Sequence, residues 1–170
     1  MKENPMREIR VEKVTLNMGC AGDKNKIERA KKLLGKITGQ KPIVTRTGKR
    51  TTFGMAKKRP IGVKVTLRKG KAERFLKDVL SAVDNELKES QINDDNFSIG
   101  IKEYIDLPNA EYDPDIGIIG MDVSVTLERP GFRVKKRKNK KSKIGKKHLI
   151  TKHESIEWLK KNFGVKISAG

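Results

Sequence analysis

Four short segments in which apolar and polar residues alternate constrain this 170-residue chain more than anything else in it. Val14, Leu16 and Met18 alternate with Thr15 and Asn17; Ile61, Val63, Val65 and Leu67 alternate with Gly62, Lys64, Thr66 and Arg68. Phe97, Ile99 and Ile101 alternate with Ser98, Gly100 and Lys102; Met121, Val123, Val125 and Leu127 alternate with Asp122, Ser124, Thr126 and Glu128. Successive side chains of a strand point to opposite faces, so each segment predicts a strand with one buried and one polar face. Ile9 and Val11 have the opposite parity to Val14, which predicts a bulge near Glu12 or a shorter strand. Ile43 and Val44 add a short further strand.

Two stretches have helical spacing instead. Ile27, Ala30, Leu34 and Ile37 recur at three- and four-residue intervals between Asp23, a side chain suited to N-capping, and Gly39, which can close a helix in the left-handed conformation. Phe75, Leu76, Val79, Leu80, Val83 and Leu87 predict a second amphipathic helix over residues 71–87. Four or five one-sided strands and two one-sided helices predict an α+β fold. It is a two-layer sandwich in which one mainly antiparallel sheet carries helices on one face and leaves the other open. A chain of this length holds one core, so residues 1–170 are expected to form a single domain.

The charge narrows the partners. Forty Lys and Arg stand against 21 Asp and Glu, a formal net charge of +19 that repels itself in any compact monomer lacking an anionic partner. Residues 41–74 hold 12 basic residues and one acid, and residues 133–152 hold 11 basic residues and no acid. Residues 78–122 hold 12 acids against Lys88 and Lys102. Charge alone admits structured RNA, DNA or an anionic membrane; the acidic stretch suits either a surface turned toward a basic protein or an ordinary solvated face. A single cysteine, Cys20, excludes an intramolecular disulfide framework and fits an intracellular setting. No stretch approaches 18 consecutive apolar residues and the N-terminus has no apolar h-region, so neither a membrane span nor secretion is expected.

Two basic segments lie outside the periodic elements. Residues 45–60 read as a long mobile loop, its core at 47–59. Residues 130–150 are too charged to pack by themselves and are expected to be disordered without a partner. After them the Thr151 to Glu154 spacing suits a capping box, and Ile156, Leu159 and Phe163 before Gly164 predict a short terminal helix.

Catalytic chemistry finds no foothold. NMGCAGDK could turn a strand into a helix and hold a phosphate, but it lacks the third glycine of a dinucleotide fingerprint, and Gly48 and Lys49 are followed by Arg50 rather than Ser or Thr. Gly19 and Gly22 fit a tight turn whose backbone approaches something bulky, such as an RNA strand. His148 and His153 lack partners for a metal site, and Asp113 and Asp115 around Pro114 are carboxylates of the kind that turns use. Ser81, Ser98 and Ser124 lack a nucleophile elbow. No metal, no cofactor and no enzymatic step is expected.

The open sheet face is the better clue. Thr15, Asn17, Lys64, Thr66 and Arg68 would form a hydrogen-bonding platform, although polar residues on a solvated sheet face are also ordinary. The loop after the second strand supplies Thr45, Arg46, Lys49, Arg50, Lys57, Lys58 and Arg59, and the extension supplies Lys135 and Lys136. Positively charged segments flanking a polar platform suit RNA. Aromatics are 5% and none falls on the open face, so contact to backbone, 2′-hydroxyls and shape is expected rather than base stacking.

KVTLNMG, GQKPIVTRTGKRT, RPIGVKVTLRKGKAERFL, FSIGIKEYIDLP and YDPDIGIIGMDVSVTLERPGFRVKKRK together resemble the universal L-five family of the large ribosomal subunit. The match spans nearly the whole chain. The tail IGKKHLITKHESIEWL resembles the archaeal and eukaryotic branch. The resemblance implies a structural, RNA-binding protein of the cytoplasmic ribosome, in the central protuberance. Its implied partners are 5S rRNA, large-subunit rRNA, P-site tRNA, a small-subunit head protein across an intersubunit bridge, and other 5S-associated ribosomal proteins. Carried over by motif, Asn17 in LNMG, Gln40 in GQKP and Thr66 in VTLR match the family's hydrogen-bonding residues for 5S rRNA, and residues 47–59 match its segment near tRNA and large-subunit rRNA. The rival reading is a nonspecific nucleic-acid architectural or chromatin protein, which would bind duplex DNA as readily as 5S rRNA.

Overall fold

The computed structural model describes residues 4–50, 56–108 and 110–168. Among the described residues the strands are β1 (Arg10–Gly19), β2 (Ile43–Arg46), β3 (Pro60–Leu67), β4 (Glu86–Lys88), β5 (Asn96–Ile101), β6 (Met121–Glu128) and β7 (Lys166–Ser168). The α-helices among these residues are α1 (Lys24–Thr38), α2 (Gly70–Ala82), α3 (Arg133–Lys136) and α4 (Lys152–Phe163). Five strands form one sheet in the order β2-β3-β1-β6-β5, and β4 pairs with β7 in parallel. The fold is α+β with a mainly antiparallel sheet, as the alternation predicts. Contacts concentrate in two compact units. One comprises Met1–Val14, Arg68–Ser98 and Val125–Gly170, and the other Thr15–Leu67 and Ile99–Ser124.

In the second of these units, Leu16 and Met18 of β1, Val63, Val65 and Leu67 of β3, and Ile27, Ala30, Leu33 and Leu34 of α1 are buried. Asp23 caps α1 by accepting a hydrogen bond from the Asn25 amide at 2.9 Å, and Gly39 ends it at φ 59. β2 and β3 pair antiparallel with Ile43 opposite Lys64, Val44 opposite Val63 and Thr45 opposite Gly62, after which the register shifts and Arg46 faces Pro60. Gly62 is required by space: a Cβ there would lie 2.5 Å from the Met18 carbonyl oxygen. Thr45 and Arg46, expected in the loop, continue the strand.

In the other unit, Ala72, Phe75, Leu76, Val79 and Leu80 of α2 are buried together with Leu87, Ile92, Phe97, Val125, Leu127, Phe132, Ile150, Leu159 and Val165. The predicted second helix is too long. It ends at Ala82, because Asp84 and Asn85 follow at φ 53 and 55, a left-handed pair that turns the chain and places Leu87 in β4. Aspartate and asparagine tolerate that conformation, so their side-by-side occurrence is a turn signal that the apolar spacing obscures. β4 then pairs with β7, a strand of three residues too short to show a period.

The capping box of α4 forms as predicted, with the Thr151 hydroxyl accepting from the Glu154 amide and the Glu154 carboxylate accepting from the Thr151 amide. Of the predicted apolar stripe, Leu159 is buried and Ile156 and Phe163 are half-buried. Between Phe132 and Ile150 no residue is buried, in keeping with a segment that has no core of its own. The segment nevertheless has local structure: the one-turn α3, a bond of 2.8 Å from Arg137 Nε to the Lys140 carbonyl, and one of 3.3 Å from the Ser142 amide to the Val134 carbonyl.

Candidate RNA interface

Val63, Val65 and Leu67 take the buried face of β3, so Lys64 is left exposed and Thr66 half-exposed on the other face. The same alternation on β1 buries Leu16 and Met18 and leaves Asn17 exposed and Thr15 half-exposed. The β2–β3 register puts Ile43 and Thr45 on the face that Lys64 occupies. Ile43 is 63% exposed there, so the platform has an apolar edge that the sequence does not single out. Gln40 follows the Gly39 cap of α1 and is half-buried, its amide held by the Thr38 hydroxyl at 3.3 Å. Thr15, Asn17, Thr45, Arg46, Gln40, Lys64 and Thr66 therefore all lie in one compact unit.

The loop after β2 is closed at its base by Thr47, which is buried. Its amide donates to the Arg59 carbonyl at 2.9 Å, its carbonyl accepts from Lys58 at 3.0 Å, and its hydroxyl donates to the Ala56 carbonyl at 2.7 Å. Lys49, Arg50, Lys57, Lys58 and Arg59 are exposed around that clamp. Residues 51–55 of the expected loop lie outside the described residues. The expected close approach at the NMGCAGDK turn exists at Gly22 and not at Gly19. Gly22 has φ +86, and a Cβ on it would stand 3.1 Å from Arg59 Nε, so the bulky neighbour is a guanidinium of the same chain.

Arg68 and Lys136 are placed differently from the other candidates. Arg68 Nη1 lies 3.4 Å from Glu12 Oε1, and Lys136 Nζ lies 2.5 Å from Glu12 Oε2 and 3.1 Å from Glu128 Oε2. The Glu12 side chain is only 7% exposed. Its Oε2 is met by the Lys136 ammonium as an ion pair. Burial pushes the Glu12 carboxyl up, but the Lys136 ammonium and the Arg68 guanidinium outweigh it and hold the group below the usual glutamate range. Burial likewise works against the Lys136 charge, and Glu12 and Glu128 reverse it, so that ammonium titrates above its ordinary value. Lys135, on the same one-turn helix, is exposed and has no acidic partner among the described residues.

Sequence reasoning missed the group that organises the extension. Arg129 is 4% exposed and satisfies four oxygens: Nε donates to the Arg7 carbonyl at 3.1 Å, Nη1 to the His148 and Leu149 carbonyls at 3.3 and 3.0 Å, and Nη2 to Glu154 Oε1 at 2.7 Å. His148 Nε2 lies 2.9 Å from the Pro130 carbonyl oxygen. Both ends of the basic extension are thus held together, and His148 is part of that closure rather than a ligand. Asp113 is likewise structural: its carboxylate pairs with the Lys36 ammonium and accepts from the Asp115 amide. Among the described residues no cluster of three or more His, Cys, Asp or Glu could hold a metal.

A protein of the large ribosomal subunit from Sulfurisphaera tokodaii, named uL5, is 50% identical over 171 residues, covering 98% of this chain and 96% of the relative. Its counterpart from Nanoarchaeum equitans is 47% identical over 97% of this chain and 99% of its own length. Residues 4–52 match the family model described as Ribosomal protein L5, and residues 60–158 match the ribosomal L5P family C-terminus. The chain belongs to the L5 family of ribosomal proteins. It is a structural constituent of the large ribosomal subunit in the cytoplasm, not an enzyme, and the two relatives named are archaeal, consistent with the archaeal and eukaryotic branch that the tail resembles. Family membership sets aside the free-standing chromatin reading. Of the three residues matched to the family's hydrogen-bonding motifs, Asn17 and Thr66 have the polar parity of their strands and Gln40 follows the end of α1.

Proposed function

We propose that this L5-family protein holds 5S rRNA on the polar sheet face carrying Thr15, Asn17, Thr45, Lys64 and Thr66, with Gln40 beside the end of α1. The exposed Arg46, Lys49, Arg50, Lys57, Lys58 and Arg59 neutralise neighbouring rRNA phosphates. The observation that carries this reading is the contrast in charge satisfaction. Arg68 and Lys136 are engaged by Glu12 and Glu128, whereas Lys64 stands exposed with no acidic partner among the described residues. A cation left unpaired on a face of hydroxyl and amide groups suits phosphate and 2′-hydroxyl contact. The protein acts by fixing an RNA fold, with no chemical step.

The family resemblance extends the reading to large-subunit rRNA in the central protuberance, to P-site tRNA near residues 47–59, to other 5S-associated proteins, and to a small-subunit head protein. The last would meet a surface in the unit that contains Ile99–Ser124. Ile105, Tyr112 and Ile118 are exposed apolar residues there, and Glu103, Asp106, Glu111 and Asp115 are exposed acids around them. Exposed apolar and acidic residues within one stretch of chain suit a basic protein surface. Filter binding of 5S rRNA by Asn17→Ala and Thr66→Ala, beside thermal melts, tests the platform. Each variant should bind more weakly by about 1–3 kcal/mol, the cost of leaving a buried RNA group unpaired, with an unchanged melt. Wild-type affinity in both would remove the sheet face as the 5S site.

A further inference from the structure

The basic extension contains a hollow of about 450 Å³ lined by Lys135, Lys141, Ser142, Lys143, Ile144 and Leu149. Its floor is apolar: Leu149 is 41% exposed and Ile144 half-exposed in a stretch that otherwise carries 11 basic residues and no acid from 133 to 152. Its rim is cationic, and Lys135, Lys141 and Lys143 have no acidic partner among the described residues. Its walls are held from behind. The Leu149 carbonyl accepts from Arg129 Nη1 at 3.0 Å, the Ser142 amide donates to the Val134 carbonyl at 3.3 Å, and Lys136 is tied to Glu12 and Glu128. That last contact anchors α3, from which Lys135 reaches the rim. An extension that only neutralised phosphate would have no use for an exposed and a half-exposed aliphatic side chain among its lysines.

We propose that this hollow seats a single unstacked nucleotide of the bound rRNA. The face of the base lies on Ile144 and Leu149, and the flanking phosphates meet Lys135, Lys141 and Lys143. Its volume lies in the range of small-ligand clefts, and a base offers an apolar face of the kind such a floor covers. The inference rests on the expectation from the sequence that the lysines of the extension contact rRNA, and adds a mode of contact which composition alone does not suggest.

The test uses the full chain, with 5S rRNA and large rRNA extracted from purified large subunits as probes, and affinity measured across a salt series. Ile144→Ser with Leu149→Ser should weaken binding to at least one rRNA by about tenfold, the scale of a lost base contact, and leave the salt slope unchanged. Leu149→Phe should keep or restore affinity, since a ring stacks on a base at least as well as an aliphatic chain. Lys135→Gln, Lys141→Gln and Lys143→Gln together should flatten the slope of log affinity against log salt by roughly 2 units. If the lysine variant weakens binding but the serine variant binds both rRNAs like wild type, the extension touches RNA without seating a base and the inference fails. If neither variant changes binding, the extension does not contact rRNA at all, and the reading beneath the inference fails with it. Loss of the serine variant from assembled large subunits despite normal rRNA affinity would assign the hollow to a protein neighbour and equally overturn the proposal.

Discussion

Arg129 Nη2 and Glu154 Oε1 lie 2.7 Å apart, and this contact joins the residue that opens the basic extension to the capping box of the helix that follows it. The guanidinium is almost fully buried and also serves the carbonyls of Arg7, His148 and Leu149. Charge-assisted bonds from one planar group to four oxygens fix the geometry of the chain on both sides of the extension.

Arg129→Ala should therefore destabilise the protein by about 3 kcal/mol, because it removes a buried guanidinium together with its bonds to three carbonyls and to Glu154. Arg129→Lys should recover only part of this, since an ammonium cannot reproduce the planar fork. Urea unfolding of both variants checks the order. A loss below about 0.5 kcal/mol in the alanine variant would show that the closure contributes little.

Glu12 and Glu154 both titrate below the ordinary glutamate range in the folded protein. Burial raises each, but Lys136 and Arg68 outweigh it for Glu12, and the Thr151 amide and Arg129 outweigh it for Glu154. A carboxyl with a lowered folded pKa contributes stability that is complete above its unfolded value of ~4.3 and is lost as pH falls through the folded value. Unfolding free energy measured from pH 7 down to pH 3 should decline below about pH 4.5. Glu12→Gln should start lower at neutral pH and decline less steeply, and parallel curves for the two proteins would show that Glu12 does not contribute to the pH dependence.

Lys135 and Lys136 are neighbours with opposite expected behaviour. Lys136→Gln should cost on the order of 1–2 kcal/mol of stability, because Glu12 is left buried with less compensation, the figure being limited by the partial exposure of Lys136. Lys135→Gln should leave the melt unchanged and reduce the salt slope of rRNA binding by a little under one unit. Thermal melts and salt-dependent filter binding separate the two. Equal effects on both readouts would show that the pairing with Glu12 and Glu128 does not distinguish them.

Gly62→Ala should destabilise by about 1–3 kcal/mol, the usual scale of overpacking, since the new methyl meets the Met18 backbone carbonyl rather than a side chain able to move aside. Thermal denaturation measures it. A neutral substitution would mean that β1 and β3 separate at that point without cost.

Most of the fold was legible in the sequence because strand and helix periods report burial directly. Val63, Val65 and Leu67 on β3, Phe97, Ile99 and Ile101 on β5, and Ile27, Ala30 and Leu34 on α1 are buried where their spacing places them. The caps at Asp23 and Thr151 and the left-handed ends at Gly39 and Gly164 are equally local, depending on a few consecutive residues. The polar sheet face, and with it Asn17, Lys64 and Thr66, followed from the same alternation. Tertiary structure alone decided which charges are free. Glu12 has the parity of Val14 and Leu16, and Arg129 has that of Val125 and Leu127, so each is a charged residue at a core-parity position. That pattern marks a buried charge without naming its partner, and the partners lie 124 positions away at Lys136 and 25 away at Glu154. Leu87 fits a helical stripe as well as a strand, and only the left-handed turn at Asp84 and Asn85 and the pairing of β4 with β7 settle it. Periodicity encodes which face a residue takes, whereas the pairing of a buried charge depends on which distant segments the folded chain brings within a few ångströms, and no local pattern carries that distance.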